Sequence, residues 1–278
     1  MNDVRIRLAQ TRADFDACVR LQQDVWSLAD VEVTSAIQFI ATTFAGGLVH
    51  LAETAGGEAV GFAYAFPALK GGPHLHSDML AVRPEYRQHG LGLRLKRAQR
   101  TDALAAGVAI VTWTFDPLQA LNANLNLRRL GAVGTEFLEN FYGVTTSALH
   151  HGLPTDRLLI RWDLNAPRVQ QRAQEADSPK KGGAPVLPRI NDVKWQAGWP
   201  VSSDPRLDLA DPQLLLEVPP EWDVLCQAAP RVAALWHERV RQAFQTYFGR
   251  GYVAADFVSA EETGRRRPLY VLSKTAAS

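Results

Sequence analysis

The stretch HLHSDMLAVRPEYRQHGLGLRLKRAQR, from His74 to Arg100, decides how this chain is read. His74 to Val82 has the composition of a strand. Pro84 and Glu85 end it, because proline brings no N–H to a ladder. Arg87, Gln88, His89, Gly90, Leu91 and Gly92 then turn the chain into a helical run rich in Leu, Arg and Lys. A glycine turn feeding a helix N-terminus presents free backbone N–H groups and the positive end of a helix dipole, which together receive a phosphate or pyrophosphate. Gly90 and Gly92 let the backbone approach the anion with no Cβ in the way.

Three nucleotide motifs compete for this turn. A Walker A loop needs Lys followed by Ser or Thr after its second glycine, and Leu93 and Arg94 stand there instead. A Rossmann fingerprint needs a third glycine, which is missing. What fits is Arg/Gln-x-x-Gly-x-Gly/Ala after a Leu-Ala-Val strand. On these residues the chain resembles the acetyl-CoA motif of the GNAT N-acetyltransferase superfamily. Strand, Arg-Pro-Glu-Tyr-Arg turn and helix all agree with that motif, where an ordinary glycine turn explains only the glycines.

Outward from this stretch, the element order agrees with the resemblance. Val4, Ile6 and Leu8 alternate with Arg5 and Arg7, the period of a half-buried strand. Thr11 or Asp14 caps a following helix. A second helix is expected from Thr34 to Phe44, with Ile37, Phe39, Ile40 and Phe44 on its apolar side. Leu48 to Thr54 and Ala59 to Phe66 read as a hairpin around Gly56 and Gly57. After the central strand and its helix come a buried strand (Val108 to Phe115), a helix (Ala120 to Leu130) and strands at Ala132 to Tyr142 and Arg157 to Leu164. The expectation is an α/β fold with a mixed sheet, the GNAT acyl-CoA N-acyltransferase fold, over residues 1–165. Residues 166–213 are polar and rich in Pro, Gly, Lys and Asp, and read as a linker. Residues 214–278 read as a smaller β-α-β-β segment docked on the first domain. Its order echoes the second half of that domain without the glycine turn, so it is either a degenerate GNAT-like half or an unrelated appendage.

Composition sets bounds on function. The chain has 278 residues, 46% of them hydrophobic and 21% charged, as in an ordinary globular protein. A formal net charge of +1 gives no general drive toward nucleic acid or a membrane. Cys18 and Cys226 have no metal or redox spacing and read as buried thiols in a reducing compartment. With no signal-like N-terminus and no long apolar run, the protein is expected in the cytoplasm, as a monomer or homodimer without a metal.

Acetyl transfer from a thioester to an amine requires a held cofactor, a polarised carbonyl and a proton acceptor. The resemblance implies that Leu80, Ala81 and Val82 hold the pantetheine arm through backbone groups. It implies that Gln88, His89, Gly90, Leu91, Gly92 and Leu93 wrap the pyrophosphate with amides, with Arg87, His89 or Arg94 adding charge. On a regular strand His74, His76 and Asp78 share one face, opposite Leu75, Ser77 and Met79. The resemblance places His76 and Asp78 where arylalkylamine N-acetyltransferases carry a catalytic His pair, with Asp78 departing from His. The alternative is that His74 and His76 simply bind loop carbonyls at a strand start. Asp116 is a further candidate base, or a turn device. For the general acid, many GNAT enzymes carry a Tyr where this chain has Leu127. Asn122 and Asn126, four apart in the same helix, are candidates to bind CoA or a water, and Tyr142 is a candidate acid. Neither cysteine lies in the motif.

Two functions follow. The first is an acetyl-CoA-dependent N-acetyltransferase acting on a primary amine of a small molecule or amino acid by direct attack. The second is an inactive GNAT fold that binds acyl-CoA as a regulatory module.

Overall fold

The structure, a computed structural model, describes residues 4–87, 89–143, 152–175 and 183–275. In order come β1 (Val4–Leu8), α1 (Arg12–Trp26), α2 (Ala36–Phe44), β2 (Leu48–Thr54), β3 (Ala59–Ala68), β4 (His74–Val82), α3 (Leu91–Ala105) and β5 (Ile110–Phe115). They are followed by α4 (Ala120–Ala123), β6 (Val133–Leu138), β7 (Arg157–Asp163), α5 (Pro167–Gln174), β8 (Val193–Gln196), β9 (Trp199–Ser202) and β10 (Gln213–Glu217). The chain closes with α6 (Trp222–Ala228), α7 (Pro230–Gly249), β11 (Tyr252–Glu262) and β12 (Arg265–Lys274). This is a mixed α/β fold. Of the described residues, 4–113 and 162–175 form one compact unit, and 114–143, 152–161 and 183–275 form another.

In the first unit β1, β2, β3 and β4 pair antiparallel in sequence order, and β5 adds parallel to β4 through the α3 crossover. The sheet alternation sorts its side chains onto two cores. Val49 and Leu51 of β2 and Phe62 and Tyr64 of β3 pack with Phe15, Cys18 and Leu21 of α1 and Phe39 of α2. Ala52, Val60 and Ala63 pack on the opposite face with Leu91 and Leu95 of α3. Helix α1 opens with a capping box in which Thr11 accepts from the Asp14 amide and Asp14 accepts from Thr11.

Helix α2 departs from the expected face. Ala36, Phe39 and Thr42 are its buried residues, at three-residue spacing, while Ile37 and Phe44 are exposed. The helix ends against Gly47, whose ideal Cβ lies 2.6 Å from the Ala65 carbonyl of β3 and also meets Thr42. Backbone on one side leaves nothing to give way, so Gly47→Ala is expected to cost about 1–3 kcal/mol of stability. The check is a fall in the urea midpoint at constant m-value.

In the second unit β7, β6, β11, β12 and β10 form one antiparallel succession. The tail strands therefore continue from β6, and the division of the chain does not fall at residue 165. The reason is a non-local ladder, in which Ala254 of β11 pairs with Gly134 of β6. Gly134 has no room for a side chain, since an added Cβ meets Leu158 at 2.7 Å and the Ala254 Cβ at 3.0 Å. Helix α7 buries Trp236, Val240, Phe244 and Tyr247, and Phe244 stacks on Phe137 of β6 at 5.6 Å. Thr263 and Gly264, both at positive φ, close the β11–β12 hairpin.

The stretch 166–213, expected as a linker, is ordered over much of its described length. It holds α5 in the first unit and the β8–β9 hairpin in the second. Asn191 is buried there, donating to Ser202 Oγ at 2.9 Å and accepting from the Glu217 amide at 2.9 Å. Polar composition concealed this, because a polar group such as Asn191 is spent on other protein groups rather than on water.

Candidate functional site

The β4 strand carries the irregularity that shapes the site. It pairs with β3 as Tyr64 opposite Met79 and Ala65 opposite Ser77, which leaves Asp78 as an extra residue. A bulge of this kind shifts the alternation by one. His76 stays on the α1–α2 side, its ring 5.3 Å from that of Phe66. Beyond the bulge Met79 and Ala81 join that same side, and Leu80 and Val82 join the α3 side. The expected grouping of Met79 with Leu75 and Ser77 is thus corrected. Asp78 occupies the bulge itself with an exposed side chain. The structure shows no direct hydrogen bond between His76 and Asp78.

On its other edge β4 meets β5 only briefly. The parallel ladder joins Leu75 to Val111 and His76 to Thr112 and, among the described residues, goes no further. From Ser77 onward β4 offers backbone groups along an edge that β5 has left. Leu80, Ala81 and Val82 stand on that edge, which is the geometry an extended arm with amide groups needs to pair like an added strand.

The edge leads to the glycine turn. Gly90 has φ +73° and begins α3 with no side chain capping the helix. Leu91 and Leu93 are buried, so what they offer an anion is their amides. The donors of a first helical turn have no intrahelical partner, and this uncapped end fits a pyrophosphate. His89 is exposed beside it. Arg87 spends its Nε–H on the Val82 carbonyl at 3.0 Å, and Arg94 donates to the Val4 carbonyl at 2.5 Å, so Arg94 braces β1. Gln88 lies outside the described residues.

His76 is half-buried, and its Nδ1 lies 2.9 Å from Thr112 Oγ1. Burial lowers its pKa from the ordinary value, and the nearby charges of His74 and Lys96 add to this. The imidazole is therefore neutral at pH 7. If Nδ1–H donates to Thr112, Nε2 carries the lone pair a base needs. His74, by contrast, binds the Gly72 carbonyl through Nδ1 at 2.8 Å, a strand-start role. Although the Asp78 residue is exposed overall, desolvation by the surrounding protein raises its carboxyl above its usual value.

A residue that sequence reading passed over stands behind this edge. Lys96 of α3 is buried, and its Nζ donates to Ser77 Oγ at 2.9 Å and to Gln99 Oε1 at 2.6 Å. Its position with Gln99 and Ala103, at spacings of three and four on the buried face of α3, was the available signal.

Tyr142, Asn122, Asn126 and Asp116 belong to the second unit. Tyr142 is half-exposed, its hydroxyl 3.3 Å from Thr114 Oγ1 and its ring under Arg157 at 5.1 Å, so it is not core packing. Asn122 is exposed and Asn126 buried. They do not share a face because α4 gives way to a π-helical turn from Asn124 to Arg129, and the wider turn breaks the four-residue register. Leu127 is fully buried there. Burial pushes Asp116 up to about 6, and Asp116 accepts from the Leu118 amide at 2.8 Å, a turn contact. Cys18 and Cys226 are buried free thiols, each pushed up to about 12 by burial. Among the described residues no group of His, Cys, Asp and Glu could hold a metal ion, and no helix is long and apolar enough to cross a membrane.

Residues 15–131 match the family model for the acetyltransferase (GNAT) family. No curated protein matches the chain. Among solved structures, the ribosomal-protein-S18-alanine N-acetyltransferase from Escherichia coli aligns at 19% identity over 58% of this chain and 94% of its own, with TM-score 0.46. A putative acetyltransferase from Salmonella typhimurium, solved with acetyl-CoA, aligns at 19% identity over 59% of this chain and 96% of its own, with TM-score 0.48. A GNAT family acetyltransferase from Elizabethkingia anophelis with acetyl-CoA bound aligns at 17% identity over 59% of this chain and 99% of its own, with TM-score 0.45.

Proposed function

Since residues 15–131 match the family model for GNAT acetyltransferases, we propose that this protein is an acetyl-CoA-dependent N-acetyltransferase whose acceptor is a primary amine of a small molecule or amino acid. The observation that carries the reading is the β4 edge, which leaves β5 after His76 and runs to the uncapped N-terminus of α3. That edge supplies in one line what an acyl-CoA needs, backbone pairing for the pantetheine arm and amides for the pyrophosphate. Leu80, Ala81 and Val82 pair with the arm, and Gly90 to Leu93 hold the diphosphate. His76 Nε2 takes the proton from the acceptor ammonium, directly or through a water, and the free amine attacks the thioester carbonyl. The C–N bond forms as the C–S bond breaks, the attacking nitrogen gives its remaining extra proton to solvent, and CoA leaves as a thiolate that solvent protonates. With both cysteines buried and their thiols held protonated, direct attack is favoured over an acyl-enzyme. A near-neutral balance gives no hint of a basic or acidic protein substrate, which favours a small acceptor.

The test is thiol release from acetyl-CoA against a panel of amines and amino acids. Amine-dependent release supports the transferase. Tight acetyl-CoA binding by calorimetry with no release across the panel favours the second reading, an acyl-CoA-binding module, to which the buried Leu127 in place of a tyrosine lends its support.

A further inference from the structure

We propose that Lys96 is a positioning residue that fixes the spacing of β4 and β5 at the mouth of the acyl-CoA slot, a role that rests on the acetyltransferase reading above. Ser77 and Trp113 are the first residues beyond the last paired rung, His76 with Thr112. Lys96 ties these two together from the α3 side. Its ammonium donates to Ser77 Oγ at 2.9 Å and sits 3.9 Å from the centroid of the Trp113 ring, with Trp162 at 5.4 Å. A cation over an aromatic face is held by the ring's negative face. The strut thus grips one strand by a hydrogen bond and the other by a ring, at the rung where they part.

Several observations make this more than a lysine that happens to be inside. Lys96 is 2% exposed, and among the described residues no carboxylate pairs with it. An unpaired buried ammonium is among the costliest groups a fold can carry, and a methionine would fill the same space without that cost. Burial brings Lys96 down to about 7, so near neutral pH it is still partly charged. The groups facing it do not neutralise it. His50 of β2 feels its charge but is bonded through Nε2 to Asp102 of α3 at 2.7 Å, and His76 of β4 lies on the far side of the strand. Gln99 holds the ammonium through Oε1 while its own Nε2 is buried without a partner. The polar cluster is therefore built around the amine of Lys96.

A strut at this rung acts on the part of the ligand that enters between the strands and not on the part held by the α3 amides. The test compares two probes by calorimetry. One is acetyl-CoA. The other is adenosine 3′,5′-bisphosphate, which carries phosphates but no pantetheine arm. Lys96→Met removes the donor and the charge, and Ser77→Ala removes the grip on β4 while keeping the lysine. The expected result is acetyl-CoA affinity about tenfold weaker in each variant, with bisphosphate affinity unchanged. If Lys96→Met does not fold, Ser77→Ala decides alone. Equal loss of both probes means a general loosening of the fold and overturns the inference, as does unchanged acetyl-CoA affinity. A wild type that binds neither probe overturns the acyl-CoA reading itself.

Discussion

Replacing His76 with alanine is expected to lower kcat by about 10²–10⁴-fold with whichever amine proves to be the acceptor, while acetyl-CoA affinity stays near that of the wild type. The imidazole stands on the α1–α2 side of β4 at the last rung before the slot opens, and its Nδ1 is already engaged by Thr112. That leaves Nε2 as the group that meets an incoming ammonium. The pH profile supplies a sharper check. A base works only when unprotonated, and His76 is shifted downward by burial and by the charges of His74 and Lys96. The acid limb of kcat/KM is therefore expected below the ordinary imidazole value of about 6.5. Thr112→Val removes the partner that fixes the tautomer and should lower kcat less than His76→Ala does. A wild-type limb well above that value, or an unchanged kcat in His76→Ala, would move the base elsewhere, with Asp78 next in line.

The second large effect is on stability. Lys96 has its folded pKa lowered to about 7 from 10.5 by burial. Between those two values the unfolded chain binds more protons than the folded one, so folding stability rises with pH across that window. Below about 7 the folded protein carries the full cost of a buried charge. Lys96→Met removes the titration. The wild type is expected to gain stability relative to the variant, on the order of a few kcal/mol, as pH rises from neutral toward 10. Denaturant midpoints of both proteins at a series of pH values measure it, and parallel curves would show that the lysine is not desolvated. The same side chain is thus expected to cost stability at neutral pH while it holds the slot in shape.

The sequence made the strand, glycine turn and helix of residues 74–100 legible because each depends on near neighbours. The β11–β12 pair, read as the closing two strands of the β-α-β-β tail, was legible for the same reason. The bulge at Asp78 was not, because strict alternation is the default for a strand and nothing local announces an extra residue. The π-helical turn at Asn124 to Arg129 escaped for the parallel reason that a helix is read at 3.6 residues per turn. Helix α2 misled because Ile37, Ile40 and Phe44 are apolar yet largely solvent-facing. Lys96 was passed over within a basic helix, although its place on the buried stripe of α3 marked it out. The division of the chain was hidden most deeply, since it rests on a ladder between Gly134 and Ala254 that no local pattern encodes.

That ladder has a consequence for how the protein is made. Strand β6 ends at Leu138 and its neighbour β11 begins at Tyr252. On a ribosome adding about 5–20 residues per second, β6 waits on the order of 5–20 s for the strand that will cover its edge. During that interval the nascent chain presents an open strand with Phe137 uncovered, a surface that pairs readily with other chains. Helix α7, which brings Phe244 to stack on Phe137, is synthesised just before β11. The order of synthesis thus delivers the cover for the face first and the partner for the edge next. Translation that stalls between residues 138 and 230 leaves the chain at its most aggregation-prone.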